Sequence, residues 1–220
     1  MSMLPDFINQ KIIILSVGLN PSPNSVRCGY PFATPQNRFW RALNQSKLVN
    51  KFYPPSVASM QSLLVDEHIG FTDVVKRTTA GASDLRAKDY RKWAPVLHTK
   101  IEIFVPQIVW FHGKIAFRNY ARYGLGIKES SIEWGVQEIT CVGANVFVSP
   151  NPSPANAAYS LGDICGWFNK LAKLNKGKTD QNYPLFVLYN KSNIPKRPEN
   201  LHKYNKVLKS LLEGCRFLEK

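Results

Sequence analysis

Ile12-Ile13-Ile14-Leu15-Ser16-Val17-Gly18-Leu19-Asn20-Pro21-Ser22-Pro23 is the stretch on which the fold turns. Its first six residues are nearly all apolar and rich in isoleucine, the pattern of a strand buried on both faces. Gly18 and the two prolines then force a tight, extended turn. The amide of Asn20 is thereby held at the carboxyl end of a central strand, where open α/β sheets take their ligands. The device recurs 131 residues further on, where Val146-Phe147-Val148-Ser149-Pro150 runs into Asn151-Pro152-Ser153-Pro154. Either turn alone reads as a simple chain reversal, whereas the pair reads as one device used twice.

Between these turns the pattern alternates strand and helix. A loop rich in Pro, Asn and Gly runs from Gly18 to Asn37, and Pro35 opens a helix carrying Phe39, Trp40 and Leu43. A second helix begins at Ser56, with Val57, Met60, Leu63 and Leu64 on its apolar face. Gly70 to Val75 reads as a short strand or turn, and Lys76 to Asp84 as a polar loop. A long helix from Ala87 ends before Pro106, Ile108 to Phe111 is a second buried strand, and Ile115 to Tyr123 is again helical. Glu138 to Cys141 and Val146 to Ser149 bracket Gly143-Ala144-Asn145, a hairpin turn. Leu161 to Leu174 forms a last amphipathic helix, and Lys176 to Asp180 reads as a linker. Strands separated by helices imply a three-layer α/β/α sandwich around a mainly parallel sheet. Residues 1–175 are expected to be one domain and 176–220 a basic extension, with a strand at Tyr183–Tyr189 and a helix at Asn200–Leu218. Two readings stand for that extension: an edge of the same domain, or an arm of its own.

With 29 basic against 15 acidic residues, the chain carries a net charge of +14, which favours a polyanionic partner, nucleic acid before a membrane surface. The last 50 residues hold 11 Lys or Arg against four acids, so half of the excess lies there. No apolar run approaches a membrane span. Nor does the start resemble a secretory signal, so a soluble intracellular protein is expected, cytoplasmic in a bacterium or nuclear in a eukaryote. Cys28, Cys141, Cys165 and Cys215 are scattered singly, and His68, His98, His112 and His202 show no ligand spacing. Neither a P-loop nor a dinucleotide fingerprint is present. The expectation is no metal and no cofactor, with DNA as partner and a monomer as the working state.

Two blocks carry a resemblance: Gly18-Leu19-Asn20-Pro21, and Gly29-Tyr30-Pro31-Phe32-Ala33 through Pro35, Asn37, Arg38, Phe39 and Trp40. Three more follow in order: Gly70-Phe71-Thr72-Asp73-Val74-Val75 with Arg77-Thr78-Thr79, then Gly113-Lys114, then Trp134-Gly135 with Gln137 leading on to Pro150-Asn151-Pro152-Ser153. Together they resemble the mismatch-specific uracil/thymine-DNA glycosylase family over roughly residues 10 to 174. The resemblance implies a uracil-DNA glycosylase-like fold, hydrolysis of a nucleobase from deoxyribose, and flipping of that base into a pocket. It assigns the attacking water to Asn20, with Gly18 and Leu19 alongside as substrate-binding residues. It makes Phe32 the platform on which the base stacks, Tyr30 its neighbour and Ser25 a pocket-lining residue. Asp73 and Thr79 fall in the segment facing the base edge. From the residues alone, Phe32 reads equally well as core, and Asp73 as a cap or ion-pair partner.

The chain departs from the family's pattern in three places. Ser22 stands where Gly is usual, adding a hydroxyl near the scissile bond. Asp73 occupies a position where relatives carry Lys or Asn, which changes the base edge preferred. The loop that enters the gap left by the flipped nucleotide is Asn151, Pro152, Ser153, Pro154 and Ala155, without the bulky apolar residue and Arg of relatives. The expected activity is a monofunctional glycosylase removing uracil from mismatched or single-stranded DNA, since no lysine occupies a nucleophile position. Excision of another base, such as hypoxanthine or thymine opposite guanine, and a non-catalytic nucleic-acid-binding module of the same fold are the alternatives.

Overall fold

The computed structural model describes residues 3–128 and 131–179, the last three by backbone alone. Five strands form one sheet in the order β2-β1-β3-β5-β4: β1 (Ile14–Gly18), β2 (Ile69–Asp73), β3 (Ile108–His112), β4 (Gly135–Cys141) and β5 (Ala144–Ser149). β1, β2, β3 and β5 run parallel, and β4 pairs antiparallel with β5. β1, β2 and β3 are buried along their whole length, and β1 and β3 accordingly read as largely apolar runs rather than alternating ones.

Neighbouring residues on β3 show how the layers divide. Trp110 packs against Phe39 and Phe168, from α2 (Phe39–Gln45) and α6 (Leu161–Thr179). Phe111 turns the other way, onto Phe117 and Tyr120 of α5 (Lys114–Gly124), which packs on α4 (Ala87–Phe104). α3 (Val57–Asp66) lies against β2, and Ser56 caps it by accepting from the Ser59 amide at 3.0 Å. The result is the expected α/β/α sandwich.

Four local expectations change. The loop from Gly18 contains a helix, α1 (Pro23–Cys28), capped by Ser22 and opened by Pro23. The helix expected from Pro35 starts at Phe39, because Asn37 turns its side chain onto the Phe39 amide at 2.9 Å. The hairpin turn is Val142-Gly143, both with positive φ, so Ala144 and Asn145 already belong to β5. α6 runs on through Lys176 to Thr179, the stretch that reads as a linker. The strand and helix expected at 183–189 and 200–218 lie outside the described residues.

One feature of the N-terminus had no sequence signal. Phe7 and Phe71 exchange backbone hydrogen bonds of 3.0 and 2.8 Å, laying residues near Phe7 along the outer edge of β2. Asp6 is thereby delivered to Thr72, Lys76 and Lys100, at 2.7, 2.9 and 2.5 Å.

Candidate active site

The strand order reverses direction between β1 and β3, since β2 lies beyond β1 and β5 beyond β3. The carboxyl ends at such a point diverge and leave a crevice. A cavity of 670 Å³ opens there, and all four parallel strands deliver residues to it: Asn20 after β1, Asp73 ending β2, His112 ending β3 and Asn151 after β5.

Asn20 is held from a distant part of the chain. Its Nδ2 donates to the carbonyl oxygens of Arg77, at 3.1 Å, and Pro21, at 3.3 Å, and to Thr79 Oγ1 at 2.7 Å. A carbonyl can only accept, so these bonds fix which end of the amide is nitrogen. The Thr79 hydroxyl donates onward to the Gly81 carbonyl at 2.8 Å, turning a lone pair toward Asn20. Oδ1 of Asn20 is left without a protein partner among the described residues and can accept from a water. Thr79, expected at the base edge, lines the cavity but spends its hydroxyl on this clamp.

Asn151 begins the same motif and is used differently. Its Oδ1 accepts from the Ser153 amide at 2.9 Å, an Asx turn, and its carbonyl accepts from Asn156 Nδ2 at 3.0 Å. Arg38 staples the rest of this loop. Its guanidinium donates to the carbonyls of Pro152 (3.3 Å), Ser153 (2.5 Å), Asn156 (2.8 Å) and Tyr159. Ser153, Pro154 and Ala155 line the cavity, whereas Pro152 is buried outside it. Gly113 makes the close approach possible, with φ of 100° and a position where a Cβ would stand 3.3 Å from that of Asn151.

Phe32 lines the cavity with φ of 59°, a left-handed conformation that costs a bulky residue free energy. Two contacts with α1 hold it there: Asn24 Nδ2 donates to the Ala33 carbonyl at 2.7 Å, and the Ala33 amide to Ser25 Oγ at 3.4 Å. One ring face stacks on Phe39, with centroids 4.1 Å apart. Ser22 and Ser25 also line the cavity, but Ser22 is occupied as the cap of α1 and donates to Ser25 Oγ at 3.1 Å. Tyr30 stands edge-on to Trp40 at 5.9 Å and is not among the residues lining the cavity.

Asp73 is buried at the cavity wall, beside Gly18, where a Cβ would lie 2.5 Å from Asp73 Oδ1. Its nearest cation is Lys76, 3.8 Å away. Burial pushes its pKa up to about 6, Asp6 adding to the rise while Lys76 and Lys100 oppose it. Asp6 behaves oppositely: burial works against its charge, but Lys100 and Lys76 outweigh burial and hold it well below the usual carboxylate range. Leu19 lines the cavity as well.

Sequence patterns had not marked His112 as a site residue. It is 1% exposed, lines the cavity and lies edge-on to Phe32 at 4.9 Å. Nε2 is 2.8 Å from Ser16 Oγ, and Nδ1 is buried with no partner. The Ser16 hydroxyl has no other hydrogen-bond partner among the described residues. Donation from that hydroxyl to Nε2 puts the ring proton on Nδ1. Burial pulls the pKa down to about 3, so the ring is neutral at physiological pH. The clue was positional, since His112 follows the apolar run Ile108–Phe111 and precedes Gly113 at a strand's carboxyl end.

A family model described as the uracil DNA glycosylase superfamily matches residues 5–176. Among solved structures, the chain is similar to the solution NMR structure of a candidate uracil DNA glycosylase from Methanosarcina acetivorans, with a TM-score of 0.51 and 20% identity. The match covers 78% of this chain and 97% of that one, a likeness of fold.

Proposed function

This chain belongs to the uracil DNA glycosylase superfamily, and from that membership we propose that it is a monofunctional glycosylase of the mismatch-specific kind. It hydrolyses the N-glycosidic bond of uracil in mismatched or single-stranded DNA. The observation that carries the reading is Asn20, its amide nitrogen clamped by Arg77 and Thr79 and its oxygen left free at the cavity. In the reaction the C1′–N1 bond breaks with its electron pair staying on the base, and the sugar develops oxocarbenium character. A water oriented by Asn20 Oδ1 bonds to C1′, and the proton it loses ends on the departing base. An amide orients well but is a weak base, so much of the rate must come from stabilising the leaving anion.

Two groups suit that task. The Nδ1–H of His112 is a buried donor in want of an acceptor, which a base carbonyl oxygen satisfies as charge develops on it. Asp73, ionised at neutral pH, accepts a ring N–H. Uracil, thymine and hypoxanthine present one beside their carbonyls and cytosine does not. Phe32 carries the base on the ring face that Phe39 leaves uncovered. The basic residues beyond 179, outside the described residues, hold phosphates without reading sequence, and the working state is a monomer.

The test is release of free base from uracil-containing oligonucleotides, scored by alkaline strand cleavage. Asn20→Ala should lower the rate by about 10²–10³-fold, as loss of one oriented polar group does, while DNA binding persists. Thr79→Val, which keeps the shape but not the clamp, should lower kcat with KM little changed, and Thr79→Ser should restore it. If Asn20→Ala retains more than half the wild-type rate, the mechanism is wrong.

A further inference from the structure

Beyond the Asn151–Ala155 loop a second groove of 400 Å³ runs along α6, lined by Ala158, Tyr159, Gly162, Gly166, Trp167 and Lys170, together with Asp163. Tyr159 lines both this groove and the catalytic cavity, so the two are neighbours. Three partly exposed rings mark the passage. Trp134, which also lines the cavity, lies 5.5 Å from Tyr159 and 6.3 Å from Trp167. Each tryptophan carries an ammonium over its ring: Lys114 at 4.8 Å from Trp134, and Lys170 at 3.8 Å from Trp167.

We propose that this surface binds the unpaired strand next to the flipped nucleotide, with a neighbouring base seated in the α6 groove against Trp167 and Tyr159 and the adjoining phosphates beside Lys170 and Lys114. The choice of DNA rests on the function proposed above; the groove, its rings and its charge do not. Aromatic platforms interleaved with cations are how single strands are held without sequence preference, because every base has a π-face and every linkage a phosphate. The one carboxylate in the groove, Asp163, is tied back to the Ser160 amide and hydroxyl, both at 2.7 Å. Those bonds hold its pKa low and anchor it at the start of α6. A duplex keeps its flanking bases stacked and paired, so this subsite favours unpaired DNA.

Gly166 provides a clean test, since a Cβ built there meets nothing within 4 Å and leucine is a better helix former than glycine. Gly166→Leu in the full-length chain fills the groove without disturbing the core. Binding of uracil-free single strand and of fully paired duplex would be followed by fluorescence anisotropy, and folding by thermal melting. Gly166→Leu and Trp167→Ala should each weaken single-strand binding about ten-fold, the scale of one lost base–aromatic stack. Duplex binding should stay unchanged, the leucine variant should melt no lower than wild type, and Trp167→Phe should bind nearly normally. Wild-type single-strand affinity in Gly166→Leu, or an equal loss on both DNAs, overturns the proposal. Because these oligonucleotides contain no uracil, a wild-type protein that releases no base would refute the catalytic reading and leave the groove standing or falling on its own result.

Discussion

Asn20 and Asn151 open the same Asn-Pro-Ser-Pro turn, yet the bonds they make assign them different work. The oxygen of Asn151 closes its own turn, whereas that of Asn20 is kept free by acceptors 57 and 59 residues away that take its nitrogen. Asp73 shows the same dependence on surroundings. An aspartate titrates near 3.9 in an unfolded chain, but here burial lifts it to about 6. The folded state therefore binds this proton more tightly than the unfolded state, and the ionised carboxylate opposes folding above pH 6. Asp73→Asn should raise the melting temperature at pH 7.5. That advantage should shrink through pH 6 and vanish below about 4, its pH-dependent part being about 3 kcal/mol at most. Melting curves of both proteins from pH 4 to 8 would show it, and a constant difference across that range would mean that Asp73 is not held as described.

At the scale of elements, the site depends on two short segments that carry little periodicity. α1, only six residues long, is what keeps Phe32 in its left-handed conformation. The Asn151–Tyr159 loop is kept in shape by Arg38, which lies more than 110 residues earlier in the chain. Replacing Arg38 by Met retains the aliphatic stem and removes every side-chain donor, leaving only the backbone amide on the Pro152 carbonyl. Charged hydrogen bonds contribute about 1.5–3 kcal/mol each and add incompletely, so a stability loss of about 2–4 kcal/mol in denaturant titration is expected. Amides of Ala155 and Asn156 should exchange with solvent much faster, while those of β3 stay protected. Unchanged exchange in the loop would show that its own turns suffice. Base release from duplex should fall more than from single strand, since the loop matters only where a gap must be filled.

For the molecule as a whole, the proposed substrate preference rests on charge and loop size. Pro154 and Ala155 bring little bulk to the cavity mouth, so on the proposed reading the gap left by a flipped base should be poorly filled. Extrusion costs a few kcal/mol from a stable pair and least from a mismatch or single strand. Excision should therefore be fastest on single-stranded and mismatched uracil and slowest on a uracil–adenine pair. The net charge of +14, half of it in the last 50 residues, should give binding a steep salt dependence. Removing residues 180–220, just beyond the end of α6, should flatten that slope on all DNAs alike. An unchanged slope, or equal excision from paired and mismatched sites, would contradict this account, and a truncated protein that fails to fold would show instead that the extension completes the domain.

Much of this was legible in the chain itself, because strands and turns are local patterns. Runs such as Ile12–Val17 and Ile108–Phe111 announce strands buried on both faces, and Gly and Pro after them announce turns at their carboxyl ends. From these the parallel sheet, the helical layers and the placing of Asn20 and Asn151 at strand ends follow, while Asp73 entered the site only through the family resemblance. The roles of these side chains were not local. Which asparagine keeps a free oxygen depends on Arg77 and Thr79, and the pKa of Asp73 on burial beside Gly18 with Asp6, Lys76 and Lys100 near. Whether Nδ1 of His112 carries the ring proton depends on what Ser16, one strand away, gives to Nε2. Hydrogen bonding and desolvation act through distances of a few ångströms between residues far apart in sequence, and only the packed tertiary structure sets those distances.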